Sequence, residues 1–282
     1  MPPLFRFAYG PMIAASWLLV VAALPLAAQS RFFPDVPSFE LPLASPRVTG
    51  ITGRIVDATT SDTRFPPGKV AEVGIGEEFP VFALRRGPRP ISLGFGVVAY
   101  GRFNLDDPKS SMVSNDWTVG FDVNAELGHW WLAGQLYHES SHLGDEYRDT
   151  FNATRLDWTR EIAAAWVGYR AGSFKVMVGP SYVLVDQLHL PRGGMSAAVD
   201  FVGPTFHFLG VPTRAIGGAF ADASAQTDWK MSQSLKGGIS FLGDHGKHTM
   251  SVALVEHGGL STQRQFYTAR SHYWGFELRF DL

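Results

Sequence analysis

From about residue 48 to its end, the chain is written largely in a period of two. At the C-terminus Trp274, Phe276, Leu278, Phe280 and Leu282 alternate with Gly275, Glu277, Arg279 and Asp281. Trp117, Val119, Phe121, Val123, Ala125 and Leu127 alternate with Thr118, Gly120, Asp122, Asn124 and Glu126. A third stretch sets Trp229, Met231, Leu235, Ile239 and Phe241 against Lys230, Ser232, Ser234, Lys236, Gly238 and Ser240. Successive side chains of a strand point to opposite sides, so each stretch has one apolar and one polar face. The patterns hold for roughly 9 to 12 residues, longer than the usual 5 or 6 of a soluble strand and close to what a tilted strand needs to cross a bilayer.

Twelve stretches qualify: 48–57, 69–83, 91–104, 116–127, 129–141, 157–170, 173–185, 196–209, 213–223, 229–243, 247–256 and 271–282, with 196–209 and 213–223 alternating poorly. The links between them are by turns tight (85–90, 128, 171–172, 210–212, 244–246) and mostly longer (58–68, 105–115, 142–156, 186–195, 224–228, 257–270). That rhythm is the one of a barrel with short periplasmic turns, long extracellular loops and both termini periplasmic. Hydrocarbon offers backbone groups no hydrogen-bond partner, so a sheet placed there must close on itself. The expected fold is therefore all-β, an outer-membrane antiparallel β-barrel of about twelve strands over residues 49–282. Asp122, Glu126, Lys230, Lys236, Glu277 and Arg279 are assigned to the lumen, and Trp117, Trp130, Trp229 and Trp274 to interfacial positions near strand ends. The apolar alternation of the last strand suits recognition by an outer-membrane insertion machinery.

Composition narrows the classes of function. Charged residues are 18% of the chain, against about 25% in a typical soluble domain. With 24 Lys and Arg against 26 Asp and Glu and no basic run, no nucleic-acid partner is expected. The absence of Cys excludes disulfide scaffolds, thiol nucleophiles and thiolate metal sites. Arg6, the apolar run around Met12 to Val21 and the small residues after Pro25 read as a signal peptide over residues 1–28. Pro34, Pro37, Pro42 and Pro46 make residues 29–48 an extended segment, expected on the periplasmic side of the barrel. Arg85-Arg86-Gly87-Pro88-Arg89 reads as a turn, and Gly94-Phe95-Gly96 is no phosphate loop because no helix follows it.

The densest chemistry lies after the fifth stretch, in Tyr137-His138-Glu139-Ser140-Ser141-His142-Leu143-Gly144-Asp145-Glu146-Tyr147. Three readings compete. His138-Glu139-Ser140-Ser141-His142 satisfies H-E-x-x-H, which binds a divalent cation when two His share a helical face; Asp145 and Glu146 would then be further ligands. In a strand the same two His stand roughly 13 Å apart, too far for one ion. The second reading is a lipid-facing hydrolase that needs no cofactor. The parity of Trp130, Leu132 and Leu136 puts His138 and Ser140 on the outward face, and same-face neighbours about 6.6 Å apart at the backbone allow imidazole and hydroxyl to meet. Glu161 is the first choice for the orienting carboxylate, with Glu146 and Asp149 behind it and Ser141 and His142 as alternates in the other roles. Such a Ser-His-acid site would attack an acyl carbonyl of outer-membrane lipid or lipopolysaccharide. The third reading is structural: these groups cap the sheet, pair with Arg148, Arg155 and Arg160, or hold ions that bridge lipopolysaccharide, in a barrel that is inert or a narrow channel.

Pro42-Leu43-Ala44-Ser45-Pro46-Arg47, Ile75-Gly76-Glu77, Ser114-Asn115-Asp116-Trp117 and the block Tyr137 to Tyr147 together resemble an uncharacterised domain-of-unknown-function family of exported bacterial envelope proteins. The resemblance implies an envelope location and no activity. His138-Glu139-Ser140 is also similar to the His-x-Ser of outer-membrane lipid A deacylases, whose catalytic pair lies on the outer wall of a barrel of about eight strands. The Asn that follows their Ser is Ser141 here, and the position of their catalytic Glu falls on Asn152, so Glu161 requires a longer loop.

Overall fold

The structure, a computed structural model, describes residues 29–34, 36, 39–60, 67–86, 89–243 and 248–281; the signal peptide expected over 1–28 lies outside them, as does Leu282. Among the described residues fourteen strands are formed: β1 (Gln29–Phe32), β2 (Gly50–Thr60), β3 (Gly68–Arg86), β4 (Arg89–Asn104), β5 (Met112–Leu127), β6 (Trp130–Leu143), β7 (Trp158–Ala171), β8 (Phe174–Asp186), β9 (Gly193–Val202), β10 (Phe206–Phe208), β11 (Val211–Ser224), β12 (Ser232–Leu242), β13 (Thr249–Leu260) and β14 (Arg270–Asp281). Twelve of them close an antiparallel ring. β2 and β14 complete it, with Ser271 opposite Thr60 and Phe280 opposite Ile51. β1 pairs only with the end of β3, and β10 only with the start of β11. No helix among the described residues is long and apolar enough to cross a membrane.

Each expected stretch except 196–209 forms one strand, and the outward apolar face is as expected. Phe121, Phe276 and Phe280 point outward, along with Ile55, Leu132, Leu136, Val176, Leu235 and Leu254. This apolar wall is the membrane-facing surface of an outer-membrane barrel. Trp117, Trp229 and Trp274 stand toward the long-loop end, while Trp130 packs edge-on against Tyr169 at the short-turn end, ring centroids 5.0 Å apart. Gly128 and Gly172 close two of the tight turns with φ of 67° and 59°, which glycine adopts without a Cβ clash.

Two local departures have clear causes. The weakly alternating 196–209 is not one strand: it stops at Val202, and Gly203-Pro204-Thr205 separates it from β10. Pro204 has no N–H to give the ladder. In β3 the register slips between Pro80 and Phe82, for the same reason.

The lumen is occupied. Asp122, Lys236 and Glu277 are buried inside as expected, whereas Glu126 and Lys230 lie exposed at the rims. Arg54 Nε donates to Glu277 Oε2 at 2.6 Å, Lys236 pairs with the same carboxylate, and Arg102 meets Glu72 at 3.2 Å. Burying unpaired ions would be costly, so the charges sit in mutually neutralising groups. The Pro-rich segment, expected to stay outside the barrel, threads this interior over residues 39–49. Phe39 stacks on the inward Trp131 at 5.7 Å, the Leu43 amide donates to Asp200 at 2.9 Å, and Tyr100 donates its hydroxyl to the Val48 carbonyl at 3.2 Å. Proline density forbids a strand or helix of its own, but not a course pinned by the wall around it. At the long-loop end, residues 261–269 fold inward, and Phe266 and Ala269 pack with Val113, Leu143 and Tyr147. A cavity of about 260 Å³ remains between plug and wall, lined among others by Arg47, Tyr137, Arg160, Trp166, Asp222 and Arg264.

Candidate active site on the outer wall

β6 runs as a strand through the whole candidate block to Leu143, so its side chains divide by parity. His138 and Ser140 face outward and are half-buried, and His142 is outward and exposed. Tyr137, Glu139 and Ser141 face inward. The register sets His138 opposite Glu161 on β7 and opposite Val119 on β5. His138 Nδ1 and Glu161 Oε1 are 2.8 Å apart, a hydrogen bond in which the ring nitrogen donates to the carboxylate. Their side chains are 34% and 43% exposed, open to whatever lies against the wall. With Nδ1–H engaged, Nε2 carries the lone pair and can accept a proton.

Ser140 lies two residues on, on the same face, between Trp117 and Thr159 across the two ladders. Among the described residues it makes no hydrogen bond to the His138 ring. A β-strand spacing of about 6.6 Å places the two groups within reach after a rotamer change. Around them the wall is apolar, with Leu136, Val185 and Trp117 exposed. At Glu161 the β7–β8 register slips, Glu161 pairing with Val185 and Ile162 with Val183, so Leu184 and Val185 both project outward.

The alternates fare differently. Ser141 is buried at 2% exposure on the inner face and cannot meet a lipid. Glu146 and Asp149 lie on a short helix, Asp145–Phe151, beyond the strand end; Asp149 bonds Arg148 at 3.0 Å, and Asp145 pairs with Arg148 and Arg155. Neither reaches His138. Asn152 caps that helix in a left-handed conformation, and the helix-bearing loop separates β6 from β7, where Glu161 lies opposite His138.

The cation reading through His138, His142, Asp145 and Glu146 does not fit this geometry. Residues 136–143 are extended rather than helical, so the two imidazoles do not share a helical turn, and no group of three or more His, Asp or Glu among the described residues is placed to hold an ion. The Glu of H-E-x-x-H is turned into the lumen. Glu139 accepts hydrogen bonds from Trp158 Nε1 at 2.9 Å and Arg264 Nε at 2.9 Å, and Arg47 Nη1 lies at 3.4 Å. Burial works against the Arg264 charge, but Glu139 beside it holds the guanidinium above its ordinary range. Arg47 also pairs with Asp116 and donates to the Thr262 carbonyl at 2.6 Å. This inner layer was missed in the sequence. Parity alone turns Glu139 inward, but nothing in the order of residues brings Arg47 and Arg264 to it.

The sequence profile of a family described as "Protein of unknown function (DUF1207)" matches residues 20–282. No curated relative matches the chain significantly. Among solved structures, it is similar to outer membrane phospholipase A from Escherichia coli, with 13% identity and a TM-score of 0.55 over 87% of this chain and 94% of that one. It is similar also to the Salmonella typhi outer membrane phospholipase dimer with bound calcium, at 14% identity and a TM-score of 0.53 over 88% and 95%. At such identity the likeness is one of fold.

Proposed function

We propose that this chain, which belongs to the DUF1207 family, is an outer-membrane acyl hydrolase that cleaves membrane lipid esters with Ser140 as nucleophile, His138 as base and Glu161 as the carboxylate that orients the imidazole. The observation that carries the reading is the 2.8 Å contact of His138 with Glu161 on the membrane-facing side, with Ser140 on the same face. Support comes also from the local similarity to lipid A deacylases and from a shared fold with structures described as phospholipases.

The chemistry follows from the positions. A lipid lying along the wall presents an acyl carbonyl to Ser140 Oγ. Nε2 of His138 accepts the hydroxyl proton as the C–O bond forms, and the Glu161 carboxylate stabilises the resulting imidazolium through Nδ1–H. The imidazolium returns the proton to the departing alkoxide, which leaves an acyl-Ser140 ester. Water, deprotonated by the same imidazole, then releases the fatty acid. In this reading the short-turn end and both termini face the periplasm, the last strand is recognised by the insertion machinery, and the substrate sits in the outer leaflet.

The test is turnover of an ester-linked phospholipid, and separately of lipopolysaccharide, by the purified barrel in mixed micelles. Ser140→Ala and His138→Ala are expected to lower kcat by about 10³-fold or more with the barrel intact, and Glu161→Gln by about 10²- to 10⁴-fold. Wild-type turnover that survives in Ser140→Ala would remove Ser140 from the reaction.

A further inference from the structure

The residues that alternate with the catalytic ones are clamped from inside the barrel. Glu139 lies between His138 and Ser140 in sequence and points the other way, 2% exposed. Its Oε1 accepts from Trp158 on β7, which ties together the two strands that supply His138 and Glu161. Its Oε2 is shared by Arg264, from the inward-folded loop, and Arg47, from the threaded N-terminal segment. Arg47 further bonds Asp116 on β5 and the Thr262 carbonyl, and its guanidinium lies 5.3 Å from the Tyr100 ring centre. One side chain thus joins β5, β6, the loop and the plug.

Resting on the hydrolase reading above, we propose that Arg47 is a positioning residue for the outward site: it fixes Glu139 and Asp116 from within, and so the β6 backbone that carries His138 and Ser140. It faces the lumen and touches no lipid. Neighbouring residues of a strand share a rigid peptide link, so a shift of Glu139 is a shift of the two Cα atoms beside it. Misplacement of reacting groups by about 1 Å can cost about 10²-fold in rate. The plug therefore acts as part of the enzyme rather than as a stopper alone.

Arg47→Ala, Arg47→Lys and, as a comparison, Lys236→Met are made in the full chain, and folding is confirmed by heat-modifiable gel mobility. Lys236 is a buried luminal cation on β12, paired with Glu277, away from β6 and β7. The readouts are kcat and KM on an ester phospholipid and the rate at which a fluorophosphonate labels Ser140. Folded Arg47→Ala is expected to lose about 10- to 100-fold in kcat and in labelling rate with KM within about two-fold, and Arg47→Lys to recover part of it. Lys236→Met is expected to keep wild-type kcat. Wild-type kcat and labelling in folded Arg47→Ala, or an equal loss in Lys236→Met, would overturn the inference while the hydrolase reading stands. A wild-type protein that neither hydrolyses ester nor labels at Ser140 would remove both.

Discussion

At the scale of single residues, the block Tyr137 to Tyr147 separates into three jobs. His138 and Ser140 look out, Glu139 and Ser141 look in, and the last third shapes the strand end. Leu143 and Tyr147 belong to the buried cluster with Val113 and Phe266. Gly144 sits so close to β5 that a Cβ there would lie 1.8 Å from the Met112 carbonyl oxygen, while its own amide donates to Val113 O at 3.0 Å. Gly144→Ala is expected to destabilise the barrel by about 1–3 kcal/mol, read as a lower denaturant midpoint in lipid vesicles. An unchanged midpoint would mean that β5 gives way easily. His138 and Ser140 were legible because parity is a local property. Glu161 was the first choice over Glu146 and Asp149 in the sequence as well, but its contact with His138 depends on the register of β6 against β7.

At the scale of elements, the irregular stretches are where sequence and structure part company. Pro80 and Pro204 interrupt ladders that hydrophobic alternation alone would have continued, and the 261–269 loop gives no periodic signal at all. That loop is nonetheless held by buried contacts: Gln265 donates to the Ser141 and Leu156 carbonyls, Gln263 accepts from Ser114, and Phe266 packs on Tyr147 at 5.6 Å. Truncating a buried Phe costs about 3–5 kcal/mol. Phe266→Ala is expected to release the loop locally, so that brief protease treatment nicks near 261–269 while the strands remain resistant. A resistant loop in that variant would show that its polar anchors suffice.

At the scale of the molecule, a twelve-strand ring is compatible with an open passage or with a filled barrel, and its interior is filled. The 39–49 segment and the inward loop occupy the interior, along with ion pairs between neighbouring strands of its wall. Wild-type protein in planar bilayers is expected to show no steady conductance, and replacement of 39–48 by a Gly/Ser linker to raise it. Large stepwise currents from the wild type would mean that the plug leaves the lumen readily.

The sequence by itself determined most of the strands, their faces and the outward placement of His138 and Ser140 on one side, because alternation and strand length are set by each residue's immediate neighbours and by the thickness of the bilayer. Only the tertiary structure decided that Glu161 meets His138, that Glu139 is a luminal anchor rather than a metal-site acid, and that a Pro-rich lead-in becomes the plug. Those outcomes depend on register between strands and on charges far apart in the chain being buried side by side, where each needs a partner, and neither is written in any local pattern.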